Sequence, residues 1–568
     1  MSDSQTKQCQ NCKQNFRIEP EDFEFYQKIK VPPPTFCPEC RKQRRLAWFN
    51  LKNLYQRKCD LCGEMKISMY APGAPFRVYC PKCWWGDGWN PFDYGRDYDF
   101  SRPFFAQWRE LLAGTPLLGL SIDLPTSVSS PYNNHVGHLK NCYLLFHADM
   151  NEDSAYGIGV FQNQSILDCS LSMGNELCYD SLYIFRNYNC IGSYSIFNCL
   201  DSFFLKNSHN CKNCFASANL RNKQYYIFNK PHTKEKYFEE IKKWDLGSYK
   251  TYQELKNKFS EHARDFPPEP LIEKNNVNIS GNYIGNSKNC QECFQVNGAE
   301  NCKYLFMTES PPITDCYDIS SWGNNMSLCY ECNVAGENVA NIKFCQESGI
   351  DFYNGEYCKL STGGSNHFGC VGVNKGNYCI LNKRYGEDEY KNLREKIIKH
   401  MEKMPYRDRQ GLTYKYGEFF PMEFSPSPYN TTLAQAFYPL TREEVLAKGG
   451  RWEESNQKKH FSTFKWEDLP DHIKDTKDDI LKENISCRAC ERSFKIIPME
   501  MAFLRRKNLP LPRQCPFCRI GDKFAVWAEN LRMGERTCDK CRTRFETPFM
   551  EDKYKKILCL KCWRDEVV

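Results

Sequence analysis

The chain of 568 residues is too long for a single hydrophobic core, so we expect several structural units. Its composition, with 41% hydrophobic and 26% charged residues, excludes an intrinsically disordered chain. The formal net charge of +7 is too small to indicate a nucleic-acid-binding protein by itself, so any such surface must be a local cluster of charges.

The N-terminal sequence MSDSQTKQ is polar and lacks an apolar segment, which predicts that it is not a signal peptide. The sequence has no run of about 18 apolar residues, so we expect no transmembrane helix and no membrane partner. Both features predict a cytoplasmic protein. In that reducing compartment, 33 cysteines indicate metal ligands or buried thiols rather than disulfides.

Residues 1–100 contain four Cys-x-x-Cys pairs, in the patterns CxxC-x24-CxxC and CxxC-x17-CxxC. A Cys-x-x-Cys knuckle turns tightly enough for both sulfurs to face one point, and two knuckles from separate hairpins can complete a tetrahedron around a metal ion. The spacing predicts two four-cysteine ribbons with closed, structural sites. Their ligands would be Cys9, Cys12, Cys37 and Cys40 in the first ribbon, and Cys59, Cys62, Cys80 and Cys83 in the second.

A basic and aromatic segment, RKQRRLAWFNLKNLYQRK, follows Cys40. Basic residues beside exposed aromatic residues commonly hold nucleic-acid phosphates and stack bases, which predicts contacts from Arg41, Lys42, Arg44 and Arg45. In the alternative interpretation, these cations offset the charge of the thiolates and cover the ribbons.

The segment 132–230 contains no proline and is rich in Asn, Cys, Ser, Tyr and Phe. Cys169, Cys190 and Cys211 recur at a constant period of 21, and neighbouring stretches align at the same period. A period near 20 with short alternating strands predicts a parallel β-solenoid, in which like residues stack at the ~4.8 Å strand spacing. Buried Cys and Ser would fill its interior, while Asn would occupy left-handed corners and form ladders.

Residues 277–383 repeat this pattern less regularly and predict a second β-solenoid. Each solenoid runs into an amphipathic helix, which would cap a strand edge that is otherwise unpaired. We therefore expect a cap helix and linker at residues 231–276 and another at residues 384–486. Three further pairs fit either the solenoid stacking or additional metal sites: Cys211/Cys214, Cys290/Cys293 and Cys329/Cys332.

Residues 487–568 repeat the N-terminal cysteine gaps of 24 and 17, so the two ends are an internal duplication. A basic cluster near the third site extends the predicted nucleic-acid contacts to Arg505, Arg506 and Lys507. The expected ligands are Cys487, Cys490, Cys515 and Cys518 at the third site, and Cys538, Cys541, Cys559 and Cys562 at the fourth.

Zinc is the metal that we expect at all four sites, because it forms closed tetrahedral centres with four thiolates. Sixteen thiolates with four zinc ions would lower the formal net charge to about −1. A redox Cys-x-x-Cys motif explains single pairs but not pairs of pairs at repeated gaps. Iron in a rubredoxin-like site remains an alternative with the same ligands, although only Gly63 supplies the glycine that usually follows the second cysteine in that site.

The two ends also share apolar and proline positions outside the ligands. Phe16, Ile18, Pro20, Phe25, Pro32 and Pro34 align with Phe494, Ile496, Pro498, Phe503, Pro510 and Pro512. The shared pattern, CxxCxxxFxI followed by PxPxxCPxCR, resembles a family of small bacterial zinc ribbons, and the whole chain resembles zinc-ribbon and β-solenoid proteins of environmental bacteria. The resemblance implies a zinc-binding fold and no particular chemistry.

The sequence gives no clear signal of an enzyme, because the common phosphate-binding, metalloprotease and hydrolase motifs are absent from it. Parallel β-helices often host carbohydrate-active enzymes, which need paired carboxylates on one face. The candidate carboxylates are Asp180 and Asp201, which stack at the 21-residue period, with Asp149, Glu152 and Asp153 nearby.

These features predict a mainly β fold: two parallel β-solenoid segments with capping helices, flanked at each end by a pair of four-cysteine zinc ribbons. Our hypothesis is a cytoplasmic zinc-binding scaffold or adaptor that contacts nucleic acid through its basic ribbons. The expected partner is RNA or a ribonucleoprotein, with DNA as a further candidate. The alternatives are a scaffold that binds a protein partner along the solenoid without nucleic acid, a rubredoxin-like iron electron carrier and a carbohydrate-active β-helix enzyme.

Overall fold

The computed structural model describes residues 4–454, 461–490, 492–550 and 553–568. Within them the fold is mainly β, with stacked parallel strands forming β-solenoids, and this confirms the predicted fold class. The chain divides into two compact units, each made of distant segments. Unit 1 combines Met1–Leu120 with Ile272–Ser455, and unit 2 combines Ser121–Leu271 with Asn456–Val568. The N-terminal cysteine modules therefore share a unit with the second solenoid, and the C-terminal modules share one with the first.

The first solenoid lies in unit 2 and is built from parallel strands whose paired residues are 12 apart in sequence, as in the pairs Cys169 with Ser181 and Cys190 with Ser202. A short antiparallel strand closes its last coil. The strands are Asn134–Lys140, Tyr143–Glu152, Ala155–Phe161, Leu167–Met173, Tyr179–Phe185, Tyr188–Ile191, Tyr194–Phe197, Leu200–His209, Lys212–Ala218, Gln224–Ile227 and the closing Lys230–Pro231.

This 12-residue coil shows that the predicted period of 21 is wrong. A left-handed backbone conformation recurs at nearly every third residue, for example at Asp180, Tyr183, Arg186 and Asn189, so four short sides make one coil. From Cys169 to Cys211, the gaps between successive buried cysteines alternate between 9 and 12, which correspond to three sides and one full coil. The sum of the two gaps produces the 21-residue spacing that is visible in the sequence.

The predicted asparagine ladder at left-handed corners is confirmed by Asn198, Asn210 and Asn222, whose side chains are linked at 3.0–3.1 Å. A second ladder, which the sequence did not predict, lies in the interior of the first solenoid. Asn151, Asn163, Asn175 and Asn187 stack on successive coils, and each lower side-chain oxygen accepts from the next side-chain amide at 2.9–3.1 Å. Buried cysteines act as small apolar residues whose thiols donate to nearby carbonyl groups. Burial raises the pKa of Cys142 to about 11, so this thiol stays neutral.

The second solenoid lies in unit 1 and has a less regular coil. The offset between paired residues is 11 where Val277 pairs with Lys288, 13 where Tyr317 pairs with Tyr330, and 12 where His367 pairs with Cys379. The strands are Glu273–Lys274, Val277–Gly285, Lys288–Asn297, Ala299–Lys303, Phe306–Thr308, Ile313–Thr314, Tyr317–Gly323, Met326–Ser327, Tyr330–Gly336, Val339–Ala340, Gln346–Glu356, Thr362–Phe368, Asn377–Ile380 and the antiparallel Lys383–Arg384.

The three additional Cys-x-x-Cys pairs lie inside the solenoids. Cys211/Cys214 are in the first solenoid, and Cys290/Cys293 and Cys329/Cys332 are in the second, with each side chain at most 1% exposed. Their thiols donate to backbone carbonyl groups. Each pair is therefore part of the stacked core.

Helices cover the ends and sides of both solenoids. In the cap helices Tyr237, Tyr390, Ile397 and Met401 are buried. The helices of unit 1 are Pro20–Lys28, Pro38–Leu46, Pro81–Trp84, Phe104–Gly114, Glu387–Lys403, Leu433–Phe437 and Arg442–Ala447. Those of unit 2 are Lys234–Ile241, Tyr249–Ala263, Pro498–Lys507, Pro516–Glu529 and Leu560–Val567.

The remaining strands form two-stranded pairs outside the solenoids. Four hairpins belong to the cysteine modules: Gln5–Gln8 with Asn15–Ile18, Tyr55–Lys58 with Met65–Ser68, Ile485–Ser486 with Ser493–Phe494, and Gly534–Thr537 with Arg544–Thr547. Two further pairs join Val78–Tyr79 to Leu117–Leu118 and Tyr406–Arg407 to Thr413–Tyr414.

Part of the segment that the sequence predicts as a linker is packed into the core of unit 1. Phe420 stacks on Trp108 with 3.9 Å between ring centroids, and its ring centroid lies 5.2 Å from that of Trp48. Ser425 donates to the carbonyl oxygen of Ala47 at 2.8 Å. Aromatic burial and this hydrogen bond therefore attach the segment to the C-terminal end of the helix Pro38–Leu46.

Across the described ranges of the chain, no helix is both long enough and apolar enough to cross a membrane.

We predict that Asn175→Ala lowers the free energy of unfolding by about 1–3 kcal/mol, because it removes the partner of buried amide groups on both neighbouring coils. Chemical denaturation followed by circular dichroism measures this change. The control is Gln164→Ala, which truncates an exposed amide on the same solenoid and should change stability by no more than about 0.5 kcal/mol. Equal effects of the two substitutions would contradict a stabilising role of the ladder.

Candidate metal centres

The structure brings the sixteen predicted ligands together in four groups, each of which can hold a metal ion. In every group the four sulfur atoms lie within 4.8 Å of one another. The groups are Cys9, Cys12, Cys37 and Cys40; Cys59, Cys62, Cys80 and Cys83; Cys487, Cys490, Cys515 and Cys518; and Cys538, Cys541, Cys559 and Cys562. We call them the first to fourth modules.

The sulfur separations match a tetrahedral site. The Sγ atoms of Cys12 and Cys37 are 3.7 Å apart, and those of Cys490 and Cys515 are 3.8 Å apart. A tetrahedron with metal–sulfur distances near 2.3 Å has an edge of about 3.8 Å. The thiolates are therefore already spaced as a four-coordinate metal ion requires.

The first knuckle of each module lies at the end of a hairpin. In the first module the backbone N–H of Cys9 donates to Gln14 at 2.9 Å, and that of Lys13 donates to Cys9 at 3.1 Å. The residue after the second cysteine has a positive φ in three modules: Lys13 at 62°, Gly63 at 73° and Arg542 at 62°. Because non-glycine residues adopt this turn here, the scarcity of glycine does not distinguish zinc from iron.

The second knuckle of each module lies at the start of a helix. The expectation that both knuckles of a site come from hairpins is therefore wrong. Cys37, Cys80, Cys515 and Cys559 each precede the first helical residue, in extended backbone conformation. The positive end of a helix stabilises thiolate charge. At all four sites this cysteine also donates its backbone N–H to the first sulfur, at 3.1–3.3 Å.

The helix Pro38–Leu46 carries both metal ligands and the predicted nucleic-acid contacts. Arg41 donates to Asp318 at 2.8 and 3.0 Å, and Arg45 donates to the other oxygen of the same carboxylate at 2.9 Å. Arg44 contacts Glu331 at 2.8 Å and Glu418 at 3.1 Å. The three arginine side chains are at most 4% exposed. They pair with carboxylates inside unit 1 and are not presented to a phosphate backbone.

Lys42 is partly buried. Its ammonium nitrogen lies 5.3 Å from the ring centroid of Phe294 and 5.0 Å from that of Phe306. Burial among these rings lowers the pKa of Lys42. Cation–π contacts of this kind fix the helix against the second solenoid within unit 1.

Unit 2 contains an equivalent network on the helix Pro516–Glu529. Arg519 pairs with Asp168 and, at 2.9 Å, with Glu500. Lys523 contacts Asp180 at 2.7 Å. Arg519 and Lys523 follow Cys518 at the same spacings as Arg41 and Arg45 follow Cys40. The duplication therefore includes the cations that dock each helix onto a solenoid.

In both units, two of the carboxylates that bind the docking helix come from consecutive coils of the solenoid. Asp168 and Asp180 occupy the second positions of neighbouring strands in the first solenoid, as Asp318 and Glu331 do in the second. Burial favours a raised pKa for Asp180, but Lys256 and Lys523 outweigh it and hold that pKa well below its ordinary value. The sequence did not reveal this docking role, because nothing local distinguishes these carboxylates from solvated acids at solenoid corners.

The predicted contacts at the C-terminal end differ in exposure. Arg505 is 40% exposed and pairs with Asp478 at 2.6 Å. Arg506 is exposed, whereas Lys507 is half-buried and donates to the side-chain oxygen of Asn189.

The carboxylates that were candidates for glycoside chemistry are each engaged by a neighbouring side chain. Asp201 accepts from Asn189 at 2.8 Å, and Asp180 belongs to the docking network. With a 12-residue coil, Asp180 and Asp201 do not share a column. Asp149, Glu152 and Asp153 contact His138, Lys140 and Asn141, respectively.

No protein-family model and no curated protein matches the chain. Among solved structures, the chain is similar to a crystal structure of a "putative acetyltransferase" from Desulfovibrio desulfuricans G20. The sequence identity is 11%, the match covers 44% of this chain and 70% of the other chain, and the TM-score is 0.10. A similarity at this level carries no argument about fold or function. The resemblance to small bacterial zinc ribbons stays a prediction.

We predict that Asp318→Asn lowers the free energy of unfolding of unit 1 by about 3–5 kcal/mol, because it leaves Arg41 and Arg45 buried without their shared countercharge. Thermal and urea unfolding measure the change. The control, Glu535→Gln, breaks an exposed pair with Arg544 and should cost about 0–1 kcal/mol. A small effect of Asp318→Asn would show that the buried network does not anchor the module.

Proposed function

We propose that the four modules bind zinc and that the protein is a zinc-stabilised scaffold. The observation that carries this proposal is that one helix in each unit combines metal ligands with docking cations. Cys40 and Arg41 are adjacent in the helix of the first module, as are Cys518 and Arg519 in that of the third. A metal ion that fixes the knuckle also fixes the arginine that enters the solenoid network.

Zinc suits these sites because four thiolates satisfy its preferred coordination and leave no open position for substrate. Binding to such a site contributes free energy to folding, about 10–16 kcal/mol in small zinc peptides. When bound, the ion would supply a structural crosslink between hairpin and helix. The chain's own residues then do the remaining work: arginine and lysine side chains join the helix to carboxylates on the solenoid.

Nucleic acid remains the partner that we propose for this scaffold, although not through the segment that follows Cys40. What supports it is the charge of the C-terminal end, where residues 487–568 contain 19 Lys and Arg against 11 Asp and Glu. A scaffold that binds protein without nucleic acid is the competing function. Salt-dependent binding to RNA or DNA separates the two.

Elemental analysis of the purified protein is expected to give four zinc ions per chain and little iron. Cys37→Ser should lower the content to three, because it removes one ligand of the first module. The matched control is Cys190→Ser, which changes a buried solenoid thiol and should leave four ions. Visible thiolate-to-iron absorption in the native protein would instead support the rubredoxin-like alternative.

Loss of the first metal site should also loosen the solenoid in unit 1. In Cys37→Ser we expect faster hydrogen exchange in the strand Tyr317–Gly323, which carries Asp318, because the docking helix is no longer held. Cys538→Ser removes a ligand from unit 2 and is the matched control, with no change expected in that strand. Unchanged hydrogen exchange of this strand in both variants would show that metal binding at the first module does not hold the docking helix in place.

A further inference from the structure

The second and fourth modules have the same internal frame. Asp60 accepts from the backbone N–H of Val78 at 2.7 Å, and Asp539 accepts from that of Ile557 at 2.6 Å. The tryptophan that follows the last cysteine of each module, Trp84 or Trp563, is buried in both. The two modules therefore share this frame around their cysteines, although the helix after the second knuckle is Pro81–Trp84 in one and the longer Leu560–Val567 in the other.

Each module has an exposed end beside its cysteines, which we call its tip. The exposed residues at the tips of the second and fourth modules differ in chemistry. Aligned by the cysteines, Leu61, Gly63, Met65 and Trp85 of the second module correspond to Lys540, Arg542, Arg544 and Arg564 of the fourth, and all eight are exposed. Residues 538–544 and 559–564 contain five cations and one carboxylate, whereas residues 59–65 and 80–85 contain one cation and two carboxylates. The fourth tip stays basic even after a zinc–thiolate centre adds two negative charges.

Two observations show that the basic tip is suited to contact with an external anion. The Arg544 side chain is 81% exposed and meets Glu535 at 3.2 Å, a surface pair that an incoming anion can replace at little cost. Arg542 takes φ 62° where the second module has Gly63, as Lys13 does in the first module, so this turn accepts a non-glycine residue and here places an exposed cation at the tip.

We propose that the tip of the fourth module, defined by Lys540, Arg542, Arg544 and Lys561, binds the phosphodiester backbone of nucleic acid. Guanidinium groups match phosphate geometry and form bidentate hydrogen bonds with it. The apolar side chains that membrane insertion requires stand at the second tip and not at this one. Backbone contacts position a nucleic acid without reading its sequence, so binding is not sequence-specific. The proposal rests on the proposed function, because the tip needs a metal-loaded fourth module.

The test uses the zinc-loaded full-length chain with labelled single-stranded RNA and duplex DNA of equal length, titrated with salt. For K540E/R542E/R544E we expect at least tenfold weaker binding, and a slope of log K against log salt that is smaller by about two to three. The matched control, K212E/K230E/K250E, makes the same charge change at exposed lysines of unit 2 and should keep the wild-type slope. The milder K540Q/R542Q/R544Q should give a smaller loss in the same direction.

Each further outcome decides the proposal. Equal binding by K540E/R542E/R544E and the control overturns it, as does tighter wild-type binding to anionic phospholipid vesicles than to RNA and DNA. Zinc content and thermal unfolding of all variants are measured in parallel. Equal, salt-dependent binding by K540E/R542E/R544E and wild type overturns this inference alone. A wild-type chain with four zinc ions and no salt-dependent binding overturns both this inference and the proposed nucleic-acid partner, whereas a chain with fewer than four zinc ions overturns the proposed zinc-stabilised scaffold.

Discussion

The structure of each unit depends on the neutralisation of charge in a buried interface. In unit 1, three buried arginines face Asp318, Glu331 and Glu418. In unit 2 the largely buried Arg519 and Lys523, together with the half-exposed Lys256, face Asp168, Glu500 and Asp180. Each interface thus balances three cations with three carboxylates. An uncompensated buried charge costs several kcal/mol, so a solenoid with these acids is incomplete without its cysteine module. This requirement links segments that are far apart in sequence.

The two networks contain equal numbers of cations and carboxylates, but they draw some of these residues from different positions in the chain. Unit 1 uses Arg44 from the docking helix, but the corresponding residue of unit 2 is Asp522. There the third cation comes from the helix Tyr249–Ala263, in which Lys256 reaches Asp180 at 2.8 Å. The third carboxylate also changes source, from Glu418 after the second solenoid to Glu500 in the third module. The two units therefore share the net charge of the interface rather than each of its positions.

Local chemistry explains which features the sequence predicts. The four-cysteine groups, the solenoid class, the asparagine ladder and the cap helices each follow from short spacings whose physical meaning does not depend on distant residues. The coil length was hidden because the cysteines alternate between gaps of 9 and 12, so that their repeat exceeds one coil. The role of Arg41 and Arg45 was hidden for a different reason: their partner Asp318 lies in a distant part of the chain. A basic segment in a sequence reports charge, whereas only the tertiary structure reports whether that charge is already paired.

The docking requirement also determines where the duplicated modules can diverge. Substitution in a buried network disturbs several charges at once, and its cost is a large fraction of the stability of a domain. Substitution at an exposed module tip usually changes stability by no more than about 0.5 kcal/mol. The cations of the docking helices are therefore constrained, while Leu61 and Lys540, at equivalent tip positions, differ completely in character. A protein built from duplicated modules can therefore acquire different tip surfaces without altering the interfaces that hold each unit together.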